Sequence, residues 1–164
     1  MLRIYTSLSQ LRWSELMAVY GEGVEENGAI FYKDLPKGQQ ILLAEQDFYT
    51  YLQQDFFRFP EEVYYIWEED EHYVSALRIH PFEDGLLMEA LETHPDHRRM
   101  GYGRRLIQAV LKLVRPQKVY SHISIRNTPS IAVHESCGFR KILNFARYSS
   151  GAVDTHHHTY LYET

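Results

Sequence analysis

The segment ETHPDHRRMGYGRRLIQAVLKLV, Glu92 to Val114, joins a Pro-Asp turn, two closely spaced glycines and four arginines to the start of an amphipathic helix pattern. A helix start offers N–H groups without intrahelical partners and the positive end of the macrodipole, so it holds anions. Gly101 and Gly103 keep side chains away from those donors, and Arg98, Arg99, Arg104 and Arg105 surround them with positive charge. The combination suits a pyrophosphate. Two nucleotide-binding patterns fit it poorly. No Gly-Lys-Ser/Thr opens the helix, as a metal-nucleotide loop requires, and the dinucleotide pattern needs three glycines near a first βα turn. The plain structural alternative is a tight turn feeding a helix with a solvated basic face.

The elements that must position this loop follow from periodicity. LRIYT alternates as a short first strand, and Ser9 is a plausible cap for a helix through LRWSELMAVYGEG that ends at Gly21 and Gly23. The linking VEENGAIFYKDLPKGQQ reads as a polar surface loop. AEQDFYTYLQQDFFRF then reads as a second helix that Pro60 stops. VYYIWEE, HYVSALRIHPF and GLLMEALETH are strand-like runs separated by EDE and EDG turns, an antiparallel meander. Leu106, Ile107, Val110, Leu111 and Val114 form one stripe on a helix from Gly103 to Val114. KVYSHISI is a strand, PSIAVHESCGF a short helix with Thr128 as cap, Pro129 in its first turn and Gly138 at its end. KILNFARYS and HHTYLYE form a terminal hairpin around SGAVD. This order predicts an α/β (α+β) fold: a mixed, mostly antiparallel central sheet flanked by helices.

The bulk composition narrows the function classes. A chain of 164 residues with 45% apolar and 24% charged residues is expected to form one soluble domain over 1–164. Its formal net charge of -5 argues against general nucleic-acid binding. Cys137 is the single cysteine, so no internal disulfide can form. No run approaches the roughly 20 apolar residues of a membrane span, and MLRIYTSLSQLRW lacks an apolar signal core, so a cytoplasmic location is expected. The high aromatic content raises the expectation of a homodimer. His156, His157 and His158 invite a metal, but strand neighbours point to alternate faces and no acidic or cysteine cluster joins them, so no metal is expected.

THPDHRRMGYGRRLI resembles the signature of the GNAT superfamily, N-acetyltransferases that use acetyl-coenzyme A: a strand ending in x-x-Pro, then Arg/Gln-x-x-Gly-x-Gly/Ala and a helix. Here it reads Arg98-x-x-Gly101-x-Gly103. Downstream, NTPSIAVHESCGF is similar to the family's Asn-x-x-Ala-x-x-Leu-Tyr-x-x-x-Gly-Phe, with Asn127, Ser130, Val133, His134, Gly138 and Phe139 in register. The resemblance runs from about Tyr64 to Phe139 and fades toward the amino terminus. It implies a GNAT-like acyl-CoA N-acyltransferase fold in which acetyl-coenzyme A lies between two diverging strands and a primary amine of a small molecule or peptide attacks it directly, without a metal.

By the same resemblance, Leu91, Glu92 and Thr93 pair their backbone with the pantetheine arm, and a backbone N–H near Leu91 polarises the thioester oxygen. The amides of Arg99, Met100, Gly101, Tyr102, Gly103 and Arg104 would hold the pyrophosphate. Asn127 and Ser130 would face the pantetheine from the other side. His134 stands where the family commonly has a tyrosine that protonates the departing thiolate; imidazole can donate too, or it can simply pack on its helix. For the base that deprotonates the amine, His122 ranks ahead of Glu89, and strand alternation puts Glu89 on the face of Leu91 and Thr93, with Glu92 opposite. Two other classes stay open: a catalytically weak module that binds coenzyme A as a sensor or scaffold, and a nucleotide-binding protein that uses the glycine loop.

Overall fold

The computed structural model describes residues 1–115 and 117–164. Nine strands and four helices follow one another as β1 (Leu2–Tyr5), α1 (Trp13–Phe31), α2 (Lys37–Gln54), β2 (Val63–Glu69), β3 (His72–Phe82), β4 (Gly85–Thr93), α3 (Tyr102–Val114), β5 (Val119–Ser124), α4 (Thr128–Ser136), β6 (Arg140–Leu143), β7 (Ala146–Arg147), β8 (Val153–Asp154) and β9 (His157–Tyr162). Seven of the strands form one sheet in the order β1-β2-β3-β4-β5-β9-β6, antiparallel throughout except for β4 and β5. The expected meander is β2-β3-β4. The terminal hairpin is β6 with β9, and β7 with β8 forms a separate two-stranded ribbon at its tip.

Both faces of the sheet are covered. Leu106, Ile107, Val110 and Leu111 of α3 are buried against Leu77, Ile79 and Met88 on one face, which is the stripe expected from their spacing. Burying side chains of this size contributes about 1.5–3 kcal/mol each. On the other face, Leu16, Val19 and Tyr20 of α1 and Leu52 of α2 pack on Tyr64, Ile66 and Ala76.

The first two helices differ from expectation. α1 does not stop at Gly21 and Gly23 but continues to Phe31, and α2 begins at Lys37, so most of the expected surface loop is helical and only residues 32–36 connect the two. Tertiary contact outweighs the glycines' poor helix propensity. A Cβ on Gly28 would lie 2.6 Å from the Gln40 carbonyl oxygen, so this glycine lets α1 and α2 approach closely. α2 ends at Gln54, short of Pro60, and Phe56 then turns into the core. At the start of α1, Ser9 belongs to a 3-10 turn over Leu8–Gln10 and Arg12 occupies the cap position. α4 is capped by Asn127 rather than Thr128: its Oδ1 accepts the Ser130 N–H at 3.1 Å.

β4 carries the irregularity that matters for the site. It pairs with β5 only at Leu86–Val119 and Leu87–Tyr120, after which the two strands part. Across from β3, Ala76 pairs with Glu92 and Arg78 with Glu89, so Ala90 and Leu91 together oppose Leu77, a bulge in which Ala90 takes φ 53°. The bulge corrects the alternation expected for β4. Glu89 ion-pairs with Arg78 on the α1–α2 face, whereas Leu91 and Thr93 lie beside Gly103 of α3. Glu92, opposite Ala76, feels Glu22 and Glu26 of α1 and so shares the face of Glu89.

Candidate active site

Where β4 leaves β5, a cleft of about 460 Å³ opens, lined by Leu91 to Thr93, the loop from His97 to Arg104 and the α4 residues Asn127, Ser130 and Val133. The two sequence motifs therefore meet on one surface. Gly101 sits at the N-cap of α3 with φ 83°, a left-handed conformation, and Arg99 is left-handed too at φ 65°. Among the described residues no acceptor takes the backbone N–H of residues 99–104, while Arg105 N–H bonds back to the Gly101 carbonyl at 3.0 Å. Consecutive free donors with alternating backbone sign make an anion-binding concavity at a helix start. A Cβ on Gly101 would meet nothing of the protein within 4 Å, so it would stand in the open cleft.

The cleft walls are held from behind. Ser75 Oγ donates to the Glu92 carbonyl at 2.8 Å and lies 3.1 Å from Thr93 Oγ1, which fixes the end of β4. Arg98 does not turn to the cleft as a free cation. Its Nη2 donates to Glu22 of α1 at 2.6 Å and its Nε to the Thr93 carbonyl at 3.2 Å, tying α1 to the strand end. Burial raises the Glu92 carboxyl, with Glu22 and Glu26 adding to it and Arg98 opposing.

His134 lies beneath the cleft, 2% exposed, not on its wall. Nδ1 is 2.8 Å from the Ser130 carbonyl and therefore carries the proton, and Nε2 is 3.2 Å from Ser121 Oγ, which can then donate. The ring packs edge-on against Phe139 at 5.1 Å. Burial lowers its pKa, the Ser130 bond opposing, so it is held neutral. Both nitrogens are engaged within the protein.

The two base candidates come together on the α1–α2 face, joined by residues the sequence reading missed. Glu89 Oε1 lies 3.1 Å from Arg78 Nη2, and Glu89 Oε2 lies 3.7 Å from His80 Nε2. Burial raises the Glu89 carboxyl, but the neighbouring His80 and Arg78 cations outweigh it and hold it below the usual carboxylate range. Burial likewise disfavours an imidazolium at His80, yet Glu89 holds its pKa above the usual histidine value. His122 sits edge-on to Phe82 at 5.3 Å and to Tyr148 at 5.4 Å, with Nδ1 buried and without a partner among the described residues. Burial lowers its pKa, His157 and His80 add to this, and Glu89 opposes, so the ring is neutral near neutral pH. Arg78 and His80 stood visible in LRIHPF as two polar residues two apart in an otherwise apolar strand.

Among the described residues no three His, Cys, Asp or Glu side chains gather to hold a metal, and no helix is long and apolar enough to cross a membrane. A family model described as the acetyltransferase (GNAT) family matches residues 29–139. No curated protein matches the sequence. Among solved structures, the PaiA N-acetyltransferase of Thermoplasma acidophilum in complex with coenzyme A is similar at 10% identity and TM-score 0.67, covering 100% of this chain and 99% of its own. An acetyltransferase from Streptococcus agalactiae is similar at 16% identity and TM-score 0.67, covering 100% and 98%. A ribosomal-protein-alanine N-acetyltransferase from Brucella melitensis gives 18% identity and TM-score 0.63, covering 100% and 99%. At these identities the likeness is one of fold: a mostly antiparallel sheet flanked by helices.

Proposed function

Because the chain belongs to the acetyltransferase (GNAT) family, we propose that it transfers the acetyl group of acetyl-coenzyme A to a primary amine by direct attack. The observation that carries this reading is the row of unpartnered N–H groups at residues 99–104, set beside strands that part after Leu87 and Tyr120. Those amides take the pyrophosphate, with Arg99 and Arg104 as the nearby cations. The open edge of β4 at Leu91 to Thr93 takes the pantetheine arm from one side, Asn127 and Ser130 from the other. The coenzyme supplies an activated acetyl thioester. The neighbour solved with coenzyme A bound supports the same assignment.

The protein's own groups do the rest. The bulge leaves Ala90 and Leu91 opposite the single residue Leu77, and a backbone N–H freed from the ladder there would stabilise charge growing on the thioester oxygen. An amine attacks only when neutral, so a base must accept its proton. His122 is the first choice, because burial keeps its ring neutral and its Nδ1 is free; Glu89 is the second, ion-paired to Arg78 and His80. His134 acts by positioning: it pins α4 to β5 through Ser121, while the proton for the departing thiolate arrives with the attacking amine or from solvent.

A thiol-release assay over an amine panel, with calorimetry for coenzyme A, tests the proposal. Saturable coenzyme A uptake that ATP and NAD fail to displace, with amine-dependent thiol release, is the expected result. Uptake without release from any amine would instead mark a coenzyme sensor, and competition by ATP or NAD a nucleotide binder.

A further inference from the structure

On the α1–α2 face a second cavity, of about 360 Å³, lies between the helices and the sheet. Tyr20, Phe48 and Tyr51 give it aromatic walls, Asn27 stands among the lining residues, and the backbone bulge at Ala90 forms part of its boundary. Arg78 reaches it from β3. Its side chain is 12% exposed, and the guanidinium lies 5.0 Å from the Tyr51 ring and 5.2 Å from the Phe56 ring. Its one ionic partner is Glu89, and its Nε and Nη1 donate to nothing among the described residues.

A buried cation with unused donors is costly to maintain, since each unsatisfied donor loses its hydration and gains nothing. The planar fork of an arginine matches a carboxylate in two parallel hydrogen bonds. We infer that this cavity receives the acceptor, and that the acceptor is an amine bearing a carboxylate on an apolar or aromatic body, its carboxylate held by Arg78. The inference rests on the acetyl-transfer reading of the neighbouring cleft. Ala90 borders this cavity and Leu91 borders the nucleotide cleft, so one bulge separates the two spaces. With Arg78 in register with Glu89 beside that bulge, the carboxylate and the reacting amine lie close together, as on one α-carbon. The volume suits a single amino acid with an aromatic or branched aliphatic side chain. A polyamine would bring further positive charge against the buried guanidinium and is disfavoured.

The test uses pairs that differ only in the carboxylate: L-phenylalanine against phenethylamine, and L-leucine against isoamylamine. Each is titrated into the full-length protein by calorimetry and assayed for thiol release with acetyl-coenzyme A. The expected result is at least tenfold tighter binding, and at least tenfold higher kcat/KM, for the carboxylate member. In Arg78→Gln that preference should collapse to within about twofold. Because a buried arginine can be needed for folding, Gly23→Leu gives an independent probe. Gly23 lines the cavity, a Cβ there meets nothing within 4 Å, and the added side chain should abolish acceptor binding while coenzyme A binding persists. Equal or tighter binding of the carboxylate-free amines, or no binding of either member, would overturn the inference. Carboxylate-selective binding without thiol release would uphold the carboxylate site at Arg78 and sink the acetyl-transfer reading. Thiol release confined to the carboxylate-free amines would do the reverse.

Discussion

Replacement of Gly101 by alanine separates two roles that this residue combines. Its φ of 83° is left-handed, and forcing an L-residue into that conformation costs about 1–2 kcal/mol. The added Cβ meets no protein atom within 4 Å, so no clash adds to the strain. For a chain of this size a loss of about 1 kcal/mol lowers Tm by about 2–4 °C, giving an expected fall of roughly 2–8 °C. The methyl also stands where a diphosphate must approach the amides of residues 99–104. Losing one hydrogen bond to a charged group costs about 1.5–3 kcal/mol, or about 10- to 150-fold in the Kd for coenzyme A. Asparagine tolerates the left-handed region, so Gly101→Asn should recover much of the lost stability and none of the lost affinity. Melting followed by circular dichroism and calorimetric titration of coenzyme A read the two effects separately. If both variants bind coenzyme A as tightly as the parent protein, the amides of this loop do not hold the diphosphate.

Two further predictions concern the histidines. Because burial lowers the pKa of His134 below its unfolded value of about 6.5, the unfolded chain binds the extra proton first as pH falls; the stability gained from the neutral ring is complete above about pH 6.5 and drains away below it. Between pH 7 and 5 the Tm of the parent should therefore fall more steeply than that of His134→Gln, and parallel curves would refute this account. His122→Gln should lower kcat by about 10²- to 10⁴-fold with coenzyme A affinity retained, and should remove an acid limb of the kcat/KM profile that lies below the ordinary histidine range. Undiminished turnover in that variant would pass the role of base to Glu89.

What the sequence made legible follows the range of the interactions that decide each element. The α3 stripe and the β2-β3-β4 meander are periodic over a few residues, and the two cleft motifs carry their chemistry in local backbone, so these were readable. α1 was not, because Gly21, Gly23 and Gly28 look like breakers until Gln40 of another helix is known to lie against Gly28. The bulge at Ala90 was hidden for a similar reason: an extra residue is extra only relative to its partner strand. His134 reads as a donor on a helix face, and its burial depends on Ser121, thirteen residues away on β5, and on Phe139. Arg78 and His80 were visible as polar breaks in an apolar strand, but their meaning depends on Glu89 across the sheet.

The extra residue in β4 makes the length of this strand a specification in its own right. Removal of either Ala90 or Leu91 would restore an unbroken pleat in which Glu92 still faces Ala76 and Thr93 still faces Ser75, but the kink that the bulge puts into β4 between the two cavities would be lost. Conservative swaps at these two positions should thus be tolerated far better than any single-codon deletion, whatever residue is lost.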